Sequence, residues 1–135
     1  METPDIKVEW DPKKFTEGEK STIEIHLEIP EGIHIQAHKP AEDLLIPTNI
    51  SLKDSGNVSF GQPVYPEPKR LPVSWSQVTL LVYEGLVNIQ FPIQVAKNAK
   101  VGKHTIEGRL SFQGCTDQLC LPPKEQVFVL DTEII

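Results

Sequence analysis

The chain has 135 residues, with 13 Lys plus Arg against 19 Asp plus Glu, and so a net charge of −6. That length makes one domain, residues 1–135, able to bury a core without help from a metal or a disulfide. The acidic balance excludes nucleic acid as a natural partner, because no excess of positive charge draws phosphates in.

In chain order, Ile6, Val8 and Trp10 alternate with Lys7 and Glu9 and stop at Asp11-Pro12. Ile23, Ile25, Leu27 and Ile29 alternate with Glu24, His26 and Glu28, a period of two that predicts a strand with one wet face. Pro30-Glu31-Gly32 reads as a turn. Ile33 and Ile35 then alternate with His34 and Gln36 before His38-Lys39-Pro40. A turn is expected around Pro40 to Leu45. Strands are expected at Ile50-Leu52 and Val58-Phe60. Gly61 to Pro72 holds Pro63, Pro66, Pro68 and Pro72 and is expected to be an extended surface loop.

The second half alternates again. Val78, Leu80 and Val82 form one strand; Val87, Ile89, Phe91, Ile93 and Val95 form a longer one, with Gly85 as the turn. Pro92 inside the longer run points to an edge or a bulge. Lys97 to Lys103 is a polar turn. His104 to Phe112 follows, weakened by Gly108, and Val127 to Asp131 closes the series as a strand buried on both faces. Thr132 to Ile135 is either a simple end or the stub of a linker. No window of 12 residues carries a helical stripe, and 12 prolines argue against a helical domain. Some eight to ten short strands separated by Gly and Pro predict an all-β sandwich, with a closed barrel as the alternative.

Two cysteines exclude a disulfide-dense scaffold and a four-cysteine zinc site. Cys115 and Cys120 stand in Phe112-Gln113-Gly114-Cys115-Thr116-Asp117-Gln118-Leu119-Cys120-Leu121-Pro122-Pro123, between two expected strands. A bridge there closes a loop of about six residues and contributes roughly 2 kcal/mol by chain entropy. Such a weak, solvent-near bridge suits a reversible redox couple. It suits a structural staple as well, and free thiols or a metal remain open. No helix follows Cys120, since Pro122-Pro123 keep the chain extended, so no helix dipole activates a thiolate. Reactivity must come from exposure and from the geometry of a docked partner.

This segment resembles the cysteine segment of the N-terminal periplasmic domain of the thiol–disulfide interchange protein DsbD, a family also described as disulfide-bond corrector domains. Gly32-Ile33-His34-Ile35, His38-Lys39-Pro40, Ile46-Pro47-Thr48, Tyr65-Pro66-Glu67-Pro68 and Val82-Tyr83-Glu84-Gly85 occur in the expected order. The resemblance implies an immunoglobulin-like sandwich with an inserted active-site region, excised from a larger membrane protein or standing alone. It implies an extracytoplasmic, periplasmic protein-disulfide reductase module, with its leader peptide removed. Such a module takes electrons from the thioredoxin-like domain of a membrane reductase. It passes them to oxidised periplasmic thioredoxin-fold proteins, including those of cytochrome c biogenesis. By the same resemblance Cys120 forms the mixed disulfide, Cys115 resolves it, and Tyr65, Pro66, Glu67 and Pro68 lie where a cap shields the pair. No cofactor and no metal is implied, and no part of the segment inserts into a membrane. The chain departs from the best-known members in having one residue fewer between the cysteines. It also has Ile33-His34-Ile35 where theirs carry tyrosines, and a proline-rich cap region in place of an aromatic pair.

The residues outside that segment read more plainly. His34 and His38 are four apart but on a strand, where such a pair lies ~13 Å apart, so they read as polar surface histidines rather than as a metal pair. His26 and His104 read as solvent-face strand residues, and Trp10 and Trp75 as core or rim. The start, Met1-Glu2-Thr3-Pro4-Asp5, has no charged and apolar regions of a signal peptide, and no apolar run reaches the ~18 residues of a membrane span. Beside the exchange module stand two other readings: a non-enzymatic binding or adhesion sandwich with a structural disulfide, and a periplasmic copper-binding domain.

Overall fold

Alternation in the sequence becomes alternation in burial. In Leu86–Val95 every second residue from Val87 onward is buried and every other one is exposed. Lys20–Glu28 behaves likewise, with Ile23, Ile25 and Leu27 fully buried. A computed structural model describes residues 2–135 and holds, among them, twelve strands and no helix. They are β1 (Lys7–Asp11), β2 (Lys14–Phe15), β3 (Lys20–Glu28), β4 (His34–Gln36), β5 (Asn49–Leu52) and β6 (Val58–Phe60). Then come β7 (Lys69–Leu71), β8 (Leu80–Tyr83), β9 (Leu86–Val95), β10 (Gly102–Phe112), β11 (Gly114–Cys115) and β12 (Lys124–Ile134). The excess over eight to ten comes from short pieces: β2 and β11 have two residues each, and β7 has three.

The strands form three sheets of four. Two make the sandwich, in the orders β1-β3-β9-β6 and β2-β12-β10-β5. Their inner faces share one apolar core, to which the first sheet gives Ile23, Ile25, Ile89 and Phe91 and the second gives Ile106, Leu110, Phe112 and Leu130. Each such side chain stabilises the fold by about 1.5–3 kcal/mol on burial. The fold is an immunoglobulin-like sandwich. The third sheet, β11-β4-β8-β7, is the insertion that carries the site. It is joined to the first sheet by two tight turns. Glu84-Gly85 links β8 to β9, with Gly85 at φ 65°, a conformation an L side chain strains to adopt. Residues 29–33 link β3 to β4 through Gly32 at φ 83°.

The third sheet has two different faces. Ile35 and Tyr83 pair in register and belong to the sandwich core. Gln36 lies opposite Val82 on the other face. Leu80, Val82, Cys115 and Leu121 are buried there without joining that core, so a second, smaller buried layer exists around the cysteines.

Pro92 pairs with Thr22 on one side and meets the expected bulge on the other: between the Phe60↔Ile93 and Val64↔Gln90 pairs, residues 61–63 oppose only residues 91–92. Its carbonyl accepts from the Gly61 amide at 2.9 Å, so its nitrogen faces the same edge, where β6 has already ended at Phe60. Three expectations change, those for the proline-rich segment, β12 and Gly108. The proline-rich segment is not a free loop, for Val64 exchanges two hydrogen bonds with Gln90, and Lys69–Leu71 pair with β8. Its prolines flank the pairing residues. β12 is buried on one face only, since Val127 and Val129 remain 54% and 55% exposed. Thr132 and Ile134 are part of β12, and both are buried.

Gly108 does not weaken β10; the ring of its register partner Phe128 lies across it. A Cβ built there would sit 2.3 Å from Phe128 Cε2 and Cζ. Gly108→Ala is expected to cost about 1–3 kcal/mol by overpacking. In a Phe128→Ala background the same change is expected to cost much less. Urea titration of the four proteins measures the coupling, and equal costs in both backgrounds would refute the overlap.

Candidate functional site

β10 and β12 run as one antiparallel ladder of eleven pairs, ending at Phe112↔Lys124. The intervening segment forms the tip. β11 leaves the ladder there and pairs with β4, placing Gly114 opposite Ile35 and Cys115 opposite His34. A tight turn then reverses the chain. The Thr116 amide donates to the Leu119 carbonyl at 2.8 Å, and the Thr116 hydroxyl accepts from the amides of Gln118 and Leu119 at 3.2 and 3.3 Å. The Leu121 amide donates to the Gly114 carbonyl at 2.7 Å. This miniature hairpin brings Cys115 directly opposite Cys120, and the two form a disulfide. The pair is asymmetric: Cys115 is fully buried and Cys120 is partly exposed, beside exposed Asp117, Gln118 and Leu119.

Two glutamines hold the tip. Gln113 accepts from the Ile46 amide at 3.0 Å through Oε1 and donates to the Leu121 carbonyl at 3.4 Å through Nε2. It thereby ties the 40–47 loop to the cysteine turn. Gln36 is fully buried, with Nε2 3.1 Å from Cys115 Sγ and 3.9 Å from Cys120 Sγ. Its backbone amide donates to the Gln113 carbonyl at 3.1 Å, and its carbonyl accepts from the Thr48 hydroxyl at 2.5 Å. Its Oε1 is buried with no partner. The two-residue period of β4 had placed Gln36 on the wet face. The tip folds over that face, and nothing local in the sequence signals this.

His34, opposite Cys115, has Nε2 2.7 Å from Glu84 Oε2, while its Nδ1 is buried without a partner. Lys69 also binds Glu84. The hydrogen bond from the Lys69 ammonium, followed by its charge and the His34 ring, holds the Glu84 carboxyl below its ordinary 4.5 against an opposing effect of burial. A lowered carboxyl pKa stabilises the fold above the ordinary value, and that stabilisation is lost as pH falls through the lowered one. The melting-temperature difference between wild type and Glu84→Gln is therefore expected to be largest above the ordinary carboxyl value and to vanish as pH falls through the lowered one. A difference independent of pH would remove the charge from the account. Glu84 escaped the sequence reading because its partners come from β4 and β7, distant in the chain.

The 65–68 segment lies beside the end of β4. The Tyr65 ring stacks on His38 with centroids 3.8 Å apart and planes 7° apart, and its hydroxyl accepts from the Ile50 amide at 3.0 Å. The Tyr83 hydroxyl accepts from the His38 amide at 3.2 Å. Burial raises both phenol pKa values. Tyr65, Pro66, Glu67 and Pro68 line a cleft of about 330 Å³ with Ala37, His38, Lys39 and Tyr83. Neither cysteine lines that cleft. The structure thus gathers Cys115, Cys120 and Gln36 at one point, and sets Tyr65 against His38 and Ile50.

His34 and His38 do not converge, since His38 Nδ1 donates to the Thr48 carbonyl at 3.0 Å. Among the described residues no group of three or more His, Cys, Asp and Glu side chains could hold a metal, and no helix is long and apolar enough to cross a membrane. His26 pairs with Asn88 and His104 with the Lys100 carbonyl, and both histidines are partly exposed. Trp10 packs against the core under Lys13, and Trp75 is 38% exposed.

An immunoglobulin-like sandwich with a close disulfide at a hairpin tip, one cysteine of the pair partly exposed, fits a thiol–disulfide interchange module. The family described as "Thiol:disulfide interchange protein DsbD, N-terminal" matches residues 6–132, and the chain belongs to that family. Domains of this family are extracytoplasmic and have a thiol–disulfide redox role with thioredoxin-fold partners in general. The fold is similar to that of the reduced DsbD N-terminal domain of Neisseria meningitidis: 17% identity, TM-score 0.50, covering 87% of this chain and 78% of that one. Weaker likenesses are to AggA, the major subunit of aggregative adherence fimbriae type I from Escherichia coli (10% identity, TM-score 0.39, 98% and 97% covered), and to a family 123 glycoside hydrolase from Clostridium perfringens (14% identity, TM-score 0.33, 91% and 23% covered). No curated protein matches the chain.

Proposed function

We propose that residues 1–135 act as a single periplasmic protein-disulfide reductase module. It accepts two electrons from the thioredoxin-like domain of a membrane reductase and reduces oxidised thioredoxin-fold proteins, among them those of cytochrome c biogenesis. Cys120 forms the mixed disulfide and Cys115 resolves it. The observation that supports this is the asymmetry of the pair, with Cys115 fully buried and Cys120 partly exposed. An incoming thiolate meets Cys120 Sγ first, and the electron pair of the broken bond moves inward to Cys115. Opening costs the fold little, because the bridge closes a loop of about six residues worth roughly 2 kcal/mol. On this reading Tyr65-Pro66-Glu67-Pro68, clamped to His38 and Ile50 at the end of β4, is the shield that a docking partner displaces.

The test is the reduction potential, measured by equilibration against glutathione. A value of roughly −180 to −270 mV supports exchange, and one below about −300 mV makes the bridge a structural staple.

A further inference from the structure

We propose that Gln36 is a further working residue of the exchange site, using its two amide ends to stabilise Cys115 in the forms that follow opening of the bridge. This rests on the exchange reading above and adds a group which that reading does not require. Gln36 is fully buried opposite Val82, in the small layer that also buries Cys115 and Leu121. A buried primary amide is expected to satisfy both ends. Here Nε2 reaches a disulfide sulfur, a weak acceptor, at 3.1 Å, and Oε1 reaches nothing. The oxidised protein therefore leaves the amide poorly satisfied, which is costly in an apolar surrounding.

Reduction supplies what is missing. A thiolate of a partner dithiol attacks Cys120 Sγ, forming a partner–Cys120 bond and breaking Cys115–Cys120. The electron pair leaves on Cys115 Sγ as a thiolate, a far stronger acceptor for the Nε2 hydrogen than the disulfide was. The partner's second thiolate then attacks its own sulfur of the mixed disulfide and releases Cys120 as a thiolate. The partner has lost two electrons and ends as a disulfide; this chain has gained them and, with two protons from the partner's thiols, ends as a dithiol. Once Cys115 is protonated, its S–H can donate to the orphan Oε1. The amide thus favours the reduced protein over the oxidised one. It is pre-positioned by its backbone bonds to Gln113 and Thr48.

Gln36→Met keeps the volume and removes both ends. It is expected to move the equilibrium with glutathione about tenfold towards the disulfide, which is about 30 mV for a two-electron couple, and to slow opening by a small dithiol by a similar factor. Gln36→Leu likewise removes both amide ends and should shift the equilibrium and the rate in the same direction. A folded Gln36→Met protein with wild-type equilibrium and rate overturns the proposal. In the wild type, reduction by a phosphine should shift the Gln36 side-chain amide protons downfield; an unmoved resonance overturns it even if neither variant folds. Failure of wild-type protein to exchange with any thiol sinks the exchange reading instead, and the amide resonance still decides the role of Gln36.

Discussion

Cys115→Ser is expected to accumulate a covalent one-to-one complex with a thioredoxin-fold partner, while Cys120→Ser forms it about a hundredfold more slowly. The partner used has a single cysteine, activated as an aromatic mixed disulfide. The rate of an exchange step follows access to the sulfur and its thiolate fraction. Cys120 is partly exposed next to an exposed Leu119, whereas Cys115 is sealed beneath the turn. Neither variant should unfold the domain, because the lost bridge contributes roughly 2 kcal/mol and the sandwich core is elsewhere. Complex formation is followed by non-reducing electrophoresis and integrity by thermal unfolding. Faster trapping by Cys120→Ser would exchange the two roles. Equal and slow trapping by both would leave a staple with no reachable sulfur.

Phe112→Ala is expected to produce the largest loss of stability, about 3–5 kcal/mol. The ring is fully buried, belongs to the sandwich core, and ends β10 three residues before Cys115. A domain of this size has about 5–15 kcal/mol in all, so the variant should approach the limit of folding. The urea midpoint at constant slope measures it. Leu119→Ala, at the half-exposed tip, is the control and should change stability by less than about 0.5 kcal/mol. A small effect of Phe112→Ala would mean that the tip is not anchored through the core. If the anchor is real, sub-denaturing urea should also speed modification of Cys115 in the reduced variant, since the same ring that packs the sandwich fixes the start of the cysteine segment.

The sandwich was legible because its long strands carry their burial in their own alternation: Ile23, Ile25 and Leu27 in one, Val87 to Val95 in the next. The cysteine tip was legible for the same reason, as a break between two alternating runs. What the pattern misjudged was set by neighbours distant in the chain. Gly108 reads as weakness until Phe128 covers it. Val127 and Val129 read as core, yet β12 faces solvent on that side. At the site, both sulfurs were found from spacing and resemblance. Gln36 and Glu84 were not, because a third sheet assembled from β4, β7, β8 and β11 has no signature in any one of its short strands. The segment Tyr65–Pro68 was placed near the pair by resemblance, and its engagement with His38 and Ile50 is a tertiary fact.

The paired ribbon of β10 and β12 has a practical consequence. Its eleven register pairs, at about 3.4 Å per residue, set the Phe112↔Lys124 end, from which the cysteine segment departs, about 34 Å from the opposite end at Gly102↔Ile134. Val101, 58% exposed and adjacent to that far end, stands well clear of any protein seated on the bridge. A fluorophore attached there would follow binding and release by rotational diffusion while leaving the chemistry at the tip untouched.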